Sequence, residues 1–171
     1  MQYNYNHIFL ENRQISNTSA IRWSCFTAMV IGIAWIFTLF HIISVPALAF
    51  QIIAPVSIFI LLLPAVVNHL MHLSDILLVG SKGINLLTGL ILGCNLTAVF
   101  LLSSTLSHYA SIIWLLPTLI ACQYYSKRIT SHIFWGGLAG MILSFYASIY
   151  LGSKDMNLSA LSIVSGDFTA A

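Results

Sequence analysis

Residues 84–103 read INLLTGLILGCNLTAVFLLS, a run with no charged side chain. An α-helix needs about 20 apolar residues to cross the hydrocarbon core of a bilayer. In lipid, the backbone hydrogen bonds must be satisfied within the segment, and a helix does this. The run therefore predicts a transmembrane helix.

The rest of the chain has a similar composition. Of its 171 residues, 59% are hydrophobic and 6% are charged, and the mean hydropathy is +0.95. A water-soluble surface needs roughly 25% charged residues. We therefore expect an all-α integral membrane protein. The net charge of +2 is spread over several loops, which argues against a nucleic-acid partner.

Five apolar runs predict a bundle of five transmembrane helices over residues 21–151. The predicted spans are 21–43, 47–73, 84–103, 108–125 and 132–151. A polar segment, residues 1–20, precedes them, and a polar tail, residues 152–171, is too short to cross again. Asn17, Thr18 and Ser19 are good helix-capping residues, so the first helix is expected to begin just after them.

The second run is longer than a bilayer requires. Residues 47–73 would form a helix of roughly 39 Å, against a hydrocarbon core of about 30 Å. Pro55 and Pro64 each remove one helical hydrogen bond. Such breaks are tolerated where protein surrounds them. We expect this helix to lie inside the bundle.

The basic residues predict the orientation, because loops rich in Lys and Arg stay in the cytoplasm. With five spans, only Lys154 falls on one side, and the other side carries Arg13, Arg22, Lys82, Lys127 and Arg128. The amino terminus is therefore expected in the cytoplasm and the carboxyl terminus outside. A bacterial cytoplasmic membrane is the default location for a charge-poor chain without organellar targeting features.

Glycines in two spans favour close helix contacts. Gly89 and Gly93 lie one turn apart in the third span, and the fifth span carries Gly136, Gly137 and Gly140. A helix face without Cβ atoms lets another backbone approach closely, and such packing drives helix association in lipid. The contact is expected within this chain or with a partner subunit.

The centre of the membrane carries few polar side chains. Asn95, Thr97 and Ser144 are predicted there, and none of them is ionisable. A proton- or ion-coupled carrier usually keeps an acid or a base near the midplane, so their absence argues against that function. Asn95 is expected to make a hydrogen bond between helices.

The densest polar cluster is His69, His72 and Asp75, at the cytoplasmic end of the second span. Their spacing of three residues places them along one slanting stripe of a helix. Imidazole and carboxylate groups there could hold a divalent metal such as Zn²⁺ or relay protons. A metal would need a further ligand, for which His132 is the candidate. The alternative is a solvated helix end.

Histidines near both membrane faces also suggest b-type haem as a candidate cofactor. His41 and His108 would face outward, and neutral imidazoles bind haem iron well. However, no single predicted helix carries two histidines spaced to serve two stacked haems. We expect no cofactor, with haem or a divalent metal as the alternatives.

No catalytic motif is present, and no catalytic residue is assigned. We therefore expect a non-catalytic integral-membrane subunit that packs within a larger secretion, transport or respiratory complex. Its partners would be membrane lipids and other membrane subunits, or further copies of the chain. The alternatives are a small oligomeric channel or solute transporter, and a haem- or metal-binding redox protein.

Overall fold

The computed structural model describes residues 2–40, 48–74, 81–106 and 113–150. Over these ranges the chain forms five helices: α1 (Gln2–Leu39), α2 (Leu48–Ser74), α3 (Ser81–Leu106), α4 (Leu115–Cys122) and α5 (Lys127–Tyr150). Three of the helices contain segments long and apolar enough to cross a membrane, namely Leu10–Leu39, Phe50–Met71 and Lys82–Thr105. The predicted all-helical fold and membrane character are therefore supported.

The first three helices pack with α2 antiparallel to α3. Phe50, at the start of α2, shares a buried cluster with Leu102, at the end of α3. Midway along the bundle, Ala28 of α1, Leu61 of α2 and Ala98 of α3 form a second cluster. Two alanines at this level bring the three helices close together, and the burial of Leu61 fills the space between them.

The central helix is α3, so the prediction that α2 lies inside the bundle was wrong. In its apolar segment 50% of α3 is buried, against 28% for α2 and 22% for α1. Helix α3 contacts each of the other four helices. Helix α3 buries Leu87, Ile91 and Leu102 along its length, whereas α2 directs Phe59 and Val66 outward. Pro64 is nevertheless fully buried.

Helix α1 begins at Gln2, well before the start expected at residue 21. The expected cap is absent because its side chains are used differently. The Thr18 hydroxyl donates to the Gln14 carbonyl one turn earlier in the same helix, at 3.0 Å. The Asn17 side chain bonds to other helices. With 38 residues, α1 is about 57 Å long.

The fourth element is shorter than the predicted span 108–125. Helix α4 has eight residues and a length of about 12 Å, less than half of the hydrocarbon thickness. Part of that predicted span, residues 108–112, lies outside the described residues. A turn follows in which Tyr125 has a φ of 48°, and α5 then begins at Lys127. With 24 residues, α5 is about 36 Å long.

Candidate functional site

A buried polar junction joins α1, α3 and the turn after α4. The Asn17 side chain lies at its centre and is 2% exposed. Its Oδ1 accepts a hydrogen bond from the Tyr124 hydroxyl at 2.8 Å and lies 3.0 Å from the Thr88 hydroxyl. Its Nδ2 donates to the Ile84 carbonyl at 3.4 Å. We call these four residues the Asn17 junction. It uses both ends of one amide to hold three parts of the chain together.

Two further contacts support the same end of the bundle. The Ser16 hydroxyl lies 3.0 Å from the Gln123 carbonyl, which ties α1 to the turn after α4. Arg13, one turn earlier on α1, donates to Oδ1 of Asn85 on α3. The start of α3 meets α1 here, and Ala98, later in α3, meets Ala28, later in α1, so these two helices run in the same direction.

A second polar contact lies deeper in the bundle. Nδ2 of Asn95 donates to the Ser24 hydroxyl oxygen of α1 at 2.8 Å and also lies 2.8 Å from the Ile91 carbonyl of its own helix. Asn95 and Ser24 are both fully buried. The predicted interhelical hydrogen bond of Asn95 is therefore confirmed. Thr97 and Ser144, in contrast, bond to carbonyls of their own helices.

An open groove of about 490 Å³ runs between α3 and α5, and we call it the α3/α5 groove. Gly89 and Gly93 form its floor, and Leu96 and Ile133 are among the apolar residues of its walls. A Cβ built at either glycine would meet no atom of the described residues within 4 Å. These two glycines are exposed, so the described part of the chain places no second helix against them.

The glycines of α5 have different surroundings. A Cβ at Gly140 would lie 2.5 Å from Cη2 of the Trp114 indole, whereas one at Gly137 would lie 3.9 Å from the same ring. Gly136 is exposed, and its nearest neighbour would be Leu96, also at 3.9 Å. The close neighbour of this glycine set is therefore an aromatic ring at Gly140, rather than a helix backbone.

One end of the α3/α5 groove is basic. Arg13 of α1, together with Arg128 and His132 of α5, lines it there. Nδ1 of His132 donates to the Arg128 carbonyl at 2.6 Å. Lys82 and Lys127, near the starts of α3 and α5, belong to the same end of the bundle. Arg13 and Arg128 thus line one groove, and Lys82 and Lys127 lie where α3 and α5 begin, so four of the five basic residues assigned to one side by the sequence belong to one end of the bundle.

The predicted metal cluster is only partly within the described structure. His69 is exposed on α2, whereas the His72 side chain and Asp75 lie outside the described residues. Within the described part of the chain, no three His, Cys, Asp or Glu residues converge to hold a metal. His132, the expected further ligand, lines the groove together with two guanidinium groups, which disfavour a cation. His41 and His108, the candidate haem ligands, also lie outside the described residues.

The Asn17 junction was not predicted, although the sequence contains a signal for it. Asn17, Ala20, Ser24 and Ala28 recur every three or four residues along α1 and form one face of small or polar side chains. All four are buried.

No known family model, curated protein or solved structure matches this chain.

Proposed function

We propose that this chain is a non-catalytic subunit of a larger membrane complex and packs against other integral-membrane chains. The hydrogen bonds that its buried polar groups form between helices support this role. Asn17, Ser24 and Asn95 bond helix to helix, which holds the bundle together. None of these side chains is ionisable, and a coupled carrier would need such a group on its transport path.

The observation that carries the proposal is the length of α1. Its roughly 57 Å is nearly twice the hydrocarbon thickness of about 30 Å. The Asn17 junction fixes the middle of this helix against α3. About 22 Å of helix therefore lies between that junction and Gln2, at the end of the bundle where the basic residues gather. An isolated helix of about 22 Å has only marginal stability in water unless it packs against another surface.

The part of α1 around the junction has a continuous exposed polar stripe. Glu11, Gln14, Thr18 and Arg22 follow one another at intervals of three or four residues, and all are exposed. They border a shallow surface groove of about 650 Å³ whose described lining residues all belong to α1. A stripe that carries both charge signs and hydrogen-bonding groups matches the polar rim of a protein interface.

The full proposal places the chain in a bacterial cytoplasmic membrane with five spans, the amino terminus inside and the carboxyl terminus outside. The clustering of Arg13, Lys82 and Arg128 at one end of the bundle supports this orientation. The stripe on α1 would then face the cytoplasmic boundary, where a partner subunit can reach it.

Site-specific photocrosslinking in cells tests the proposal. A photoreactive amino acid at Gln14 or Thr18 should produce a discrete adduct with another integral-membrane protein, identified by mass spectrometry. Phe59 is the matched control, because it is 69% exposed on the apolar face of α2 and should face lipid.

Two results would contradict a subunit role. Adducts at Gln14 and Thr18 that contain only further copies of this chain would favour an oligomeric channel instead. Equal labelling of proteins from Gln14 and Phe59 would mean that the polar stripe on α1 is not a specific interface.

A further inference from the structure

The α3/α5 groove has the dimensions of a lipid acyl chain within one leaflet. It extends along α3 from Asn85 to Leu96, a distance of about 16 Å at the helical rise. One leaflet of a bilayer contributes about 15 Å of hydrocarbon. The basic end of the groove thus lies at headgroup depth if Leu96 lies near the bilayer centre.

The floor of the groove is open because of its glycines. Nothing among the described residues lies within 4 Å of a Cβ built at Gly89 or Gly93. Leu92, Leu96 and Ile133 supply apolar surface beside this gap. A void lined in this way loses dispersion contacts unless something apolar fills it, and an alkyl chain does so without any polar cost.

The headgroup end has the opposite character. Arg13 and Arg128 both line it, with His132 beside them, and none of the described residues that line the groove is acidic. The hydrogen bond from Arg13 to Asn85 holds that guanidinium at the mouth of the groove. Guanidinium groups bind phosphate oxygens through paired N–H donors. The charge at this end is therefore complementary to a phosphate.

We propose that the α3/α5 groove binds one anionic phospholipid, with its phosphate at Arg13 and Arg128 and one acyl chain over Gly89 and Gly93. Basic pockets between transmembrane helices are sites where anionic headgroups bind. The glycines then serve lipid binding rather than contact with another helix. This site is separate from the polar stripe of α1, so it holds or fails independently of the proposed subunit role.

Native mass spectrometry of the full chain tests the site. The purified, delipidated protein is titrated with phosphatidylglycerol or with phosphatidylcholine of the same acyl chains. One phosphatidylglycerol should bind with an affinity at least about fivefold above that of phosphatidylcholine, since each Arg near an anionic group contributes on this scale. Equal binding of the two lipids would overturn the proposal.

Matched variants locate the bound lipid. Arg128→Gln should weaken phosphatidylglycerol binding about fivefold. Lys127→Gln, at the exposed neighbouring position, should weaken it far less, because Lys127 does not line the groove. Gly93→Leu fills the floor and should weaken the binding of both lipids, and it is expected to fold because its side chain enters open space. Equal effects of the two charge variants would overturn the proposed site.

A competition experiment separates a lipid from a free anion. An excess of inorganic phosphate should displace little phosphatidylglycerol, because the acyl chain supplies much of the contact in the groove. Full displacement by phosphate, together with unchanged binding in Gly93→Leu, would assign the basic end to a soluble anion. A photoreactive amino acid in place of Gly93 that crosslinks to a helix of another protein would contradict lipid binding in this groove.

Discussion

The Tyr124 hydroxyl donates a 2.8 Å hydrogen bond to Oδ1 of Asn17, a residue 107 positions earlier in the chain. The same Asn17 amide also bonds to the Ile84 carbonyl through Nδ2. The Tyr124 bond attaches the turn after α4 to α1. Because the accepting Asn17 side chain is also bonded to α3, the turn is positioned relative to α3 as well. One buried side chain sets the relative position of three elements at the basic end of the bundle.

Removing either partner of this bond should destabilise the fold. Tyr124→Phe should lower the free energy of unfolding by about 0.6 to 2 kcal/mol, the range for hydrogen bonds between membrane helices. Asn17→Leu should cost about 1 to 3 kcal/mol, since it leaves several buried polar groups without a partner. Unfolding in mixed detergent micelles measures both changes.

A double-mutant cycle isolates the pair. Tyr124→Phe should cost nothing further in the Asn17→Leu background, because its acceptor is already gone. Tyr125→Phe is the matched control, since Tyr125 is 97% exposed. If the Tyr124 and Tyr125 variants lost equal stability, the junction would not contribute as described.

The Asn95 and Ser24 pair should contribute a second, deeper stabilisation. Ser24→Ala removes the hydrogen-bond acceptor on α1 and should lower the free energy of unfolding by about 0.6 to 2 kcal/mol. Thr97→Val provides the comparison, because Thr97 is exposed and its hydroxyl donates to the Gly93 carbonyl of its own helix. If Thr97→Val and Ser24→Ala lowered the free energy of unfolding equally, the hydrogen bond between Asn95 and Ser24 would contribute no extra stability.

Gly140 should be the glycine of α5 that tolerates a side chain least. Gly140→Ala places a methyl group 2.5 Å from Cη2 and 2.9 Å from Cζ3 of the buried Trp114 ring. We expect a loss of about 1 to 3 kcal/mol from overpacking. Gly137→Ala makes an ordinary 3.9 Å contact with the same indole and should be close to neutral. Thermal unfolding of the purified variants distinguishes the two.

Gly89→Ala should raise the free energy of unfolding, whereas Gly140→Ala should lower it. The new methyl group meets open space, and alanine favours a helix over glycine by up to about 1 kcal/mol. A marked loss of stability in Gly89→Ala would mean that another helix packs against this face, as the glycine spacing alone indicated.

Reporter fusions test the proposed orientation. A reporter after Ala171 should be active outside the cytoplasm, and one inserted between Gly80 and Gly83 should be active inside it. Five spans place these two positions on opposite sides. Reporters found on the same side would exclude a five-span arrangement.

The sequence predicted the features that depend on local composition. The apolar runs indicated α2, α3, α5 and the apolar part of α1, and the polarity of Asn95 in an apolar run indicated its bond to another helix. The N-terminal segment was misjudged because polar side chains such as Asn17 and Thr18 suit a helix cap, a bond within a helix and a contact between helices equally well. The choice between these roles depends on α3 and on Tyr124, which are distant in sequence.

Features that depend on the arrangement of several helices could not be read from one of them. The glycine spacings in α3 and α5 look alike, yet Gly140 lies against Trp114 while Gly93 faces an open groove. Likewise, the prolines of α2 indicated a central helix, but a central position depends on contacts with every neighbour, and α3 makes them.

The mass of the native complex tests the proposed subunit role most directly. The protein is extracted at its natural expression level in a mild detergent or in native lipid discs, and its particles are weighed and sequenced. A subunit role predicts a discrete particle in which the 18.8 kDa chain is accompanied by at least one different integral-membrane protein. A particle that contains only this chain, as a monomer or as a multiple of itself, would contradict the subunit role.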